Sequence, residues 1–158
     1  MGEKERYEKE LSHPDPEVRW IAIQDLEESR SAESIDLLIR ALKDQDYSSI
    51  RWRAAVALGH RKDPRATTPL IGALSDSNLH VREEAVTALG AIGEPDSVPS
   101  LISSLEDPAR SVRLRAQAAL VKIGGPAQTA LLQALPLAIP PVQDMIRDVL
   151  HEIEEEDL

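Results

Sequence analysis

The sequence of 158 residues contains no cysteine, no long hydrophobic run and no apolar segment near its start. Without cysteine there are no disulfides, no thiolate nucleophile and no cysteine-ligated zinc. No stretch approaches the roughly 18 apolar residues of a membrane span, and the opening MGEKERYEKELSH lacks the apolar core of a signal peptide. We therefore expect one domain of ordinary size that works in the cytoplasm.

Basic charge is also scarce, because 18 Lys and Arg residues stand against 28 Asp and Glu residues, a formal net charge of −10. Five of the acidic residues form a C-terminal acidic tail: Glu152, Glu154, Glu155, Glu156 and Asp157. A negative chain repels the phosphates of nucleic acids and of anionic membranes. We therefore predict neither nucleic acid nor membrane as a partner.

Motifs for catalysis and for metal binding are missing as well. The sequence has no Gly-x-Ser-x-Gly elbow and no glycine-rich phosphate loop. The four histidines are scattered and form no ligand cluster: His13, His60, His80 and His151. We predict a protein that is not an enzyme and that has no metal and no cofactor.

The chain does contain an internal repeat. An aliphatic residue followed by arginine recurs at Val18-Arg19, Ile50-Arg51, Val81-Arg82 and Val112-Arg113, with a degenerate copy at Val142-Gln143. A leucine that closes a second apolar run recurs with the same spacing, at Leu42, Leu74, Leu105 and Leu135. Both landmarks repeat every 30 to 32 residues, which indicates tandem copies of one structural unit.

Each copy has helical periodicity. Counted from the aliphatic residue as position 0, the apolar residues fall at 0, +4, +7, +8 and +11, which in the third copy are Val81, Ala85, Ala88, Leu89 and Ile92. This is one stripe of an amphipathic helix, and the alanines at +4 and +7 predict close helix contacts.

Glycines and prolines predict where the helices end and begin. Glycine takes the left-handed conformation that ends a helix, and Asp-Pro or Glu-Pro opens one. The predicted stops are Gly59, Gly90, Gly93 and Gly124, and the predicted starts are Asp63-Pro64 and Glu94-Pro95. Neither helix of a copy buries its stripe alone, so the copies must stack.

We predict an all-α fold, a right-handed α-α superhelix (solenoid) of about four to five helix pairs. The single domain spans 1–158. It divides into an N-terminal cap at 1–12, repeats at about 15–44, 46–75, 76–106 and 107–136, and a C-terminal capping helix at 139–158 that carries the acidic tail.

The motif D-x-x-x-x-VR-x-x-A-x-x-ALG-x-IG-x-P-x-x-V-P-x-L-I-x-x-L, from Asp76 to Leu105, resembles the short HEAT-like repeats of phycobilisome lyases. The resemblance extends from residue 15 to about residue 135. It implies the solenoid fold but is shared by scaffolds, lyases, chaperones and artificial binding proteins. One function that it implies is a bilin lyase or a lyase-like pigment-handling subunit. A DNA glycosylase of HEAT-like fold is a further alternative, which the negative charge disfavours.

Deoxyhypusine hydroxylase, a HEAT-repeat enzyme, binds two irons through His-Glu pairs just after the Val-Arg step. The equivalent pairs here are Trp20-Ile21, Trp52-Arg53, Glu83-Glu84 and Leu114-Arg115, so the resemblance brings no iron ligands.

A ladder of arginines and aspartates accompanies the repeats: Arg19, Arg51, Arg82 and Arg113, with Asp15, Asp46, Asp76 and Asp107 in the turns before them. One interpretation is a stripe that binds anions. The other is that these residues cap helices and tie neighbouring turns together. A feature present in every copy favours the structural role.

Position +2 lies almost opposite the core stripe, so Trp20, Trp52 and Leu114 should point away from the core. These three residues, on the convex face, are our second choice for a partner site, because exposed aromatic patches often mark one. The alternative is that the segment with Tyr7 and Leu11 covers Trp20, or that neighbouring helices cover both tryptophans.

Our first choice is the concave face, which second helices line in similar solenoids. Counted back from the closing leucine, its candidate residues at −5 and −2 are Leu37, Arg40, Pro69, Gly72, Ser100, Ser103, Ala130 and Gln133. These vary between copies, and the middle of the set is small and nearly uncharged, which leaves room for a helix or a loop. We predict a non-catalytic scaffold that binds a protein partner of unknown identity. We expect a monomer, with a dimer through one end of the solenoid as the alternative.

Overall fold

The computed structural model describes residues 2–29 and 31–156, in which ten α-helices and no β-strand occur. The helices are α1 (Glu3–Glu10), α2 (Pro16–Glu28), α3 (Ala32–Ala41), α4 (Ser48–Arg61), α5 (Thr67–Ala73), α6 (Leu79–Ile92), α7 (Val98–Ser103), α8 (Arg110–Ile123), α9 (Gly125–Ala134) and α10 (Pro140–Glu156). Short 3₁₀ segments precede α5 and α7 and follow α7 and α9. Asp157 of the predicted acidic tail lies outside the described residues.

The helices form two layers. The first helices of the repeats, α2, α4, α6, α8 and α10, pack against one another in chain order and form what we call the A layer. The second helices, α3, α5, α7 and α9, form the B layer, and α3, α5 and α7 each pack against the A helix that follows. The predicted all-α solenoid is confirmed.

The two layers differ in helix length. The A helices have 13 to 17 residues and the B helices 6 to 10. The shortest B helices, α5 and α7, lie in the middle of the molecule. A shorter B layer places less material on the face that we predicted to be concave.

The predicted apolar stripe forms the core. At position 0, Ile50, Val81 and Val112 are at most 1% exposed, and the leucines at +8, among them Leu58 and Leu89, are fully buried. Burial of these side chains between stacked repeats supplies the hydrophobic stabilisation that a single helix pair would lack.

Two of the four predicted glycine stops are confirmed. Gly93 (φ +78°) follows the last residue of α6, and Gly124 (φ +68°) follows the last residue of α8. In the second repeat Lys62 takes this role with φ +50°. Asp63 then accepts a hydrogen bond from the Arg65 backbone N–H at 3.0 Å, as its predicted capping role requires.

The prediction that Gly59 and Gly90 end helices is wrong. Both lie inside helices, buried against the A helix of the following repeat. A Cβ atom at Gly59 would be 3.0 Å from the Ala88 Cβ, and one at Gly90 would be 2.8 Å from the Ala119 Cβ and 2.9 Å from its Cα. These glycines are required by close helix packing, and the predicted alanine contacts at +7 are confirmed.

Candidate partner-binding surface

The arginine ladder connects consecutive turns. Each of three arginines donates to an aspartate in the turn that leads to the next A helix: Arg19 Nη1 to Asp44 Oδ2 at 2.5 Å, Arg51 Nε to Asp76 Oδ2 at 2.7 Å, and Arg82 Nε to Asp107 Oδ2 at 2.9 Å. Each also donates to a main-chain carbonyl of the turn before its own helix, on His13, Asp44 and Asp76 respectively. The ladder therefore fixes one repeat to the next.

These arginines are not available as an anion-binding stripe. The side chains of Arg19, Arg51 and Arg82 are 9%, 17% and 15% exposed, and their guanidinium groups are occupied by the turns. Arg113 donates to the carbonyls of Asp107 and Pro108 only, because the next aspartate position of the repeat is Ala138. The geometry supports the structural role of the ladder.

One member of the predicted ladder needs correction. Asp44, 32 residues before Asp76, is the buried partner of Arg19 and also accepts from the Asp46 and Tyr47 backbone N–H groups. Asp46 also pairs with Arg19, at 2.8 Å, but its side chain is 61% exposed. Asp44 stands seven residues before Arg51, whereas Asp76 and Asp107 stand six residues before Arg82 and Arg113, and this extra residue is why the sequence pattern selected Asp46.

The Asp76 carboxylate of the ladder is held in its charged form. Burial alone would raise the pKa of Asp76, but the hydrogen bonds from Arg51 and from the Asn78 backbone N–H, together with the charge of Arg51, lower that pKa below its ordinary value. The hydrogen bond to Asp76 raises the pKa of the Arg51 guanidinium above its ordinary value, although burial alone would lower that pKa.

Three cavities follow one another along the B layer, one between α1 and the first repeat and one at each of the next two boundaries between repeats. The first, of about 360 Å³, lies between the end of α1 and α3, and the second, of about 400 Å³, lies between α3 and α5. The third, of about 330 Å³, lies between α5 and α7. Together they form a broken channel across the ends of the B helices, which we call the B-layer groove.

Five of the eight predicted concave residues line this groove. Arg40 lies in the first cavity, Pro69 and Gly72 in the second, and Ser100 and Ser103 in the third. Arg40, Gly72 and Ser103 are exposed, while Pro69 and Ser100 are half-buried. The structure therefore brings the middle of the predicted set together on one surface.

The other three predicted residues lie apart from the three cavities. Ala130 is half-buried and Gln133 is exposed, both on α9. The prediction that Leu37 is a surface residue is wrong, because Leu37 is only 5% exposed and belongs to the same core cluster as Leu11. The helix α1 packs on α3 at this end of the molecule, which explains why the −5 position is buried only in the first repeat.

The sequence analysis missed residues at the rim of the groove. Lys43, Ser75 and Glu106 follow the closing leucines at position +1 and line the cavities. Extending the count by one residue past each leucine would have found them.

Charge changes sign along the groove. Arg40 and Lys43 are exposed at its first end, Gly72 and Ser75 lie in the middle, and Glu106 is exposed at its other end. Asp76 and Asp107 are each paired with one arginine of the ladder, whereas Arg19 is shared by Asp44 and Asp46. The exposed Asp46 therefore adds one acidic side chain to the first end, beside the two basic ones.

Trp20 and Trp52 stack on the A layer with ring centroids 5.8 Å apart and an angle of 28° between planes. The two rings, at equivalent positions of adjacent repeats, therefore lie side by side. Both rings are half-buried, however, and the Arg53 guanidinium lies 5.8 Å from the Trp20 ring. Neighbouring side chains thus cover much of the aromatic surface that we expected to be exposed. Leu114, the equivalent residue of the fourth repeat, is 52% exposed.

A separate cavity of about 380 Å³ lies beside Trp52, lined also by Ser48, Ser49, Asn78 and His80. It sits at the first turns of α4 and α6. Asn78 donates to Ser48 Oγ at 3.3 Å and caps α6. Ser48, Ser49 and Asn78 were not singled out in the sequence, because serine and asparagine at the start of a helix are ordinary capping residues.

A charged network runs across the A layer from Glu27 through Arg53 and His60, with Glu27 bonded to both partners. Burial would raise the pKa of Glu27, but hydrogen bonds from Arg53 and His60 lower it below its ordinary value. Burial raises the pKa of the half-buried Glu84.

In the part of the chain that the structure describes, no three His, Asp or Glu side chains are arranged to hold a metal ion. No helix of those residues is long and apolar enough to cross a membrane.

Comparison with known proteins supports the fold. The family model that describes HEAT repeats matches residues 6–79 and 67–148. A search of curated proteins found none that matches this sequence.

Solved structures with the same architecture include three of different kinds. The complex of CpcE and CpcF of phycocyanin lyase from Nostoc has a TM-score of 0.73 and 24% identity, over 99% of this chain and 67% of that one. Human deoxyhypusine hydroxylase in complex with glycerol has a TM-score of 0.63 and 22% identity, over 98% of this chain and 74% of that one. A designed armadillo repeat protein in complex with the peptide (KR)4 has a TM-score of 0.58 and 18% identity, over 99% of this chain and 88% of that one. At these identities the similarity establishes the fold alone.

Proposed function

Because this chain belongs to the HEAT-repeat family, in which stacked helix pairs form an extended surface, we propose that it is a non-catalytic scaffold that binds a segment of a partner protein in the B-layer groove. The observation that carries this proposal is the row of three open cavities from α1 to α7 along the B layer. Its walls contain five of the residues that vary between copies.

The groove suits a peptide segment better than a small molecule. Each cavity measures only about 330 to 400 Å³, near the lower end of the range for ligand sites, and none is enclosed by more than two repeats. A segment that crosses three cavities gains contacts in each of them. The rim charges favour a segment whose acidic end lies near Arg40 and Lys43 and whose basic end lies near Glu106.

Two of the similar structures are complexes with another chain, CpcE with CpcF and the armadillo protein with the peptide (KR)4. These partners are properties of those proteins. They support the proposal only in that solenoids of this architecture present surfaces on which a second chain can lie.

The test is capture of partner proteins from lysate of the native host with Gly72→Arg/Ser103→Arg as the variant. A side chain at Gly72 meets no atom within 4 Å of its Cβ, and Ser103 is exposed, so the two arginines fill the groove without disturbing the fold. The matched control, Gln24→Arg/Ala118→Arg, adds the same charge at exposed positions of the A layer. We expect a partner that the wild type and the control retain and that the groove variant loses.

If Trp20→Leu/Trp52→Leu loses the partner and the groove variant retains it, the proposal is contradicted and the binding site lies on the A layer. If all variants retain the partner equally, neither surface is its binding site.

A second candidate function is a bilin lyase or a lyase-like pigment-handling subunit. It is favoured by the match to the phycocyanin lyase complex over 99% of this chain. Incubation of the purified protein with free bilin, followed by absorption spectroscopy, would show a red-shifted or sharpened band if a bilin binds. An unchanged spectrum would remove this candidate.

A further inference from the structure

The two layers end differently at the C-terminal end of the molecule. In the A layer, the +9 position of each repeat faces the next repeat, as the contact of Gly59 with Ala88 shows. In α10 this position is His151, whose ring pairs with Glu155 and is 72% exposed, and Arg147 pairs with Asp144 one turn earlier. The A layer therefore ends in a polar surface.

The B layer ends in an apolar surface. Leu132, Leu137 and Ile139 are 59%, 86% and 57% exposed, half of the exposed large hydrophobic side chains among the described residues. They lie within eight residues, on α9 and on the connection to α10.

The earlier repeats show what normally covers such a residue. Leu132 occupies position −3 before the closing leucine, where the other repeats have Ile39, Ile71 and Ile102, all half-buried and packed against the core. In the third groove cavity, Ile71 and Leu74 form one wall, and Ser100 and Ser103 of α7, with Ser104 directly after it, form the other. The −3 residue thus faces the following B helix, and no described helix occupies that place beside Leu132.

The covering helices share one chemical feature. Their residues at −5, −2 and −1, that is at i, i+3 and i+4 of a helix, are nearly all small: Pro69, Gly72 and Ala73; Ser100, Ser103 and Ser104; Ala130, Gln133 and Ala134. Small side chains let two helices approach closely enough for the −3 residue to pack between them.

We propose that Leu132, Leu137 and Ile139 form a docking face for one helix of a partner protein, which packs beside α9 with small residues at i, i+3 and i+4 and carries basic residues toward α10. The basic residues follow from charge. Residues 140–156 contain six acidic residues and one arginine. The short connection makes α9 and α10 antiparallel, and successive B helices of stacked repeats run in the same direction. The acidic end of α10 therefore lies near the start of a helix that docks parallel to α9.

The same charge disfavours a second copy of this chain as the occupant. An isologous contact between two such ends would bring two acidic helices together, and like charges across an interface are repulsive. This inference concerns a surface separate from the B-layer groove and does not rest on the function proposed above.

The probe is a synthetic, fluorescein-labelled peptide of residues 125–135, stapled on its solvent-facing side to hold the helix, with three lysines before it. It carries the small face of α9 itself. Fluorescence anisotropy should show saturable binding to the wild type, weakened about tenfold or more by Leu132→Asp, the scale set by burying one leucine side chain. Glu154→Lys/Glu155→Lys should weaken binding at low salt and less so at high salt.

Two controls keep the test specific. Leu114→Asp places the same change at a 52% exposed leucine of the A layer and should leave binding unchanged. A peptide with leucine in place of its Ala130 and Ala134 equivalents should bind at least severalfold more weakly, because large residues prevent close approach. Leu132→Asp and Leu114→Asp should both melt at the wild-type temperature, since both leucines are exposed in the wild type.

Absence of saturable binding up to about 1 mM peptide would overturn the proposal. So would equal loss with Leu114→Asp, or equal binding of the leucine peptide, since either means non-specific adhesion. A wild-type dimer in sedimentation equilibrium that Leu132→Asp abolishes would assign the face to a second copy and overturn the proposal as well.

Discussion

In the A layer, an added Cβ at Gly90 would lie 2.8 Å from the Ala119 Cβ, whereas in the B layer an added Cβ at Gly72 would have no atom within 4 Å. Both glycines lie in helices of the same repeating unit. At Gly59 and Gly90 the A helices approach one another as closely as their backbones allow, whereas the B helices leave a row of open cavities between them. The repeat thus assigns its closest helix contacts to the A layer and the row of cavities to the B layer.

The difference explains where the sequence is free to vary. Residues that fix the A layer recur in each copy, such as the aliphatic residue at position 0, the alanine at +4 and the arginine at +1. Residues at the B-layer groove differ from copy to copy, from Arg40 to Gly72 to Ser103. A change in the groove alters what the molecule can bind without loosening the stack.

The largest effect is expected from breaking the ladder. Arg51→Met leaves Asp76 without its partner in a site where both side chains are more than four-fifths buried, and should lower the free energy of unfolding by about 3 kcal/mol. Urea denaturation of the wild type and of the variant measures this difference in the free energy of unfolding. Arg147→Met, at an exposed pair with Asp144, should cost less than about 1 kcal/mol. Equal costs would mean that the ladder does not join the repeats.

The same pair predicts a pH dependence. The folded-state pKa of Asp76 lies below its ordinary value of 3.8, so the stabilisation is present above about pH 4 and is lost as the pH falls through the lowered value. The difference in free energy of unfolding between the wild type and Asp76→Asn should therefore narrow between pH 7 and pH 3. A difference that stays constant over this range would show that the carboxylate charge has no role.

A pair of glycine substitutions sharpens the contrast between the layers. Gly90→Ala should destabilise by about 1 to 3 kcal/mol, because the new Cβ meets the backbone of α8. Gly72→Ala should instead stabilise by about 0.5 to 1 kcal/mol, because alanine favours the helix and the space is open. Thermal unfolding should show a melting temperature below that of the wild type for Gly90→Ala and above it for Gly72→Ala. A stabilising Gly90→Ala would contradict the close packing of the A layer.

The tryptophan pair should give a smaller effect. A double-mutant cycle of Trp20→Leu and Trp52→Leu should yield a coupling of about 0.5 to 1.5 kcal/mol, the usual range for stacked aromatic rings. A coupling near zero would mean that the rings only lie side by side, which would leave them free to contact a partner.

Much of the fold follows from the sequence because periodicity reports burial directly. Val81, Ala85 and Leu89 lie on one helical stripe and are all buried. Gly59 and Gly90 were misassigned because a glycine near the end of a helix serves a left-handed turn or a close contact equally well. Only the distance to the next helix separates the two roles.

The candidate surface was less predictable. The regular position of Leu37 indicated exposure, but a helix from outside the repeat pattern, α1, packs on α3 and changes the environment of that end. The cavities also depend on how far apart neighbouring B helices lie, which side-chain periodicity does not encode. Rim residues such as Lys43 and Glu106 were missed for the same reason.

The central claim is that a partner lies along the B-layer groove while the A layer holds the fold. Hydrogen–deuterium exchange on the protein with its captured partner tests it most directly. We predict new protection in 64–75 and 95–106, the segments that line the second and third cavities, and unchanged exchange in α2 and α4 around the tryptophan pair. Protection confined to α2 and α4, with none in the groove segments, would contradict the account.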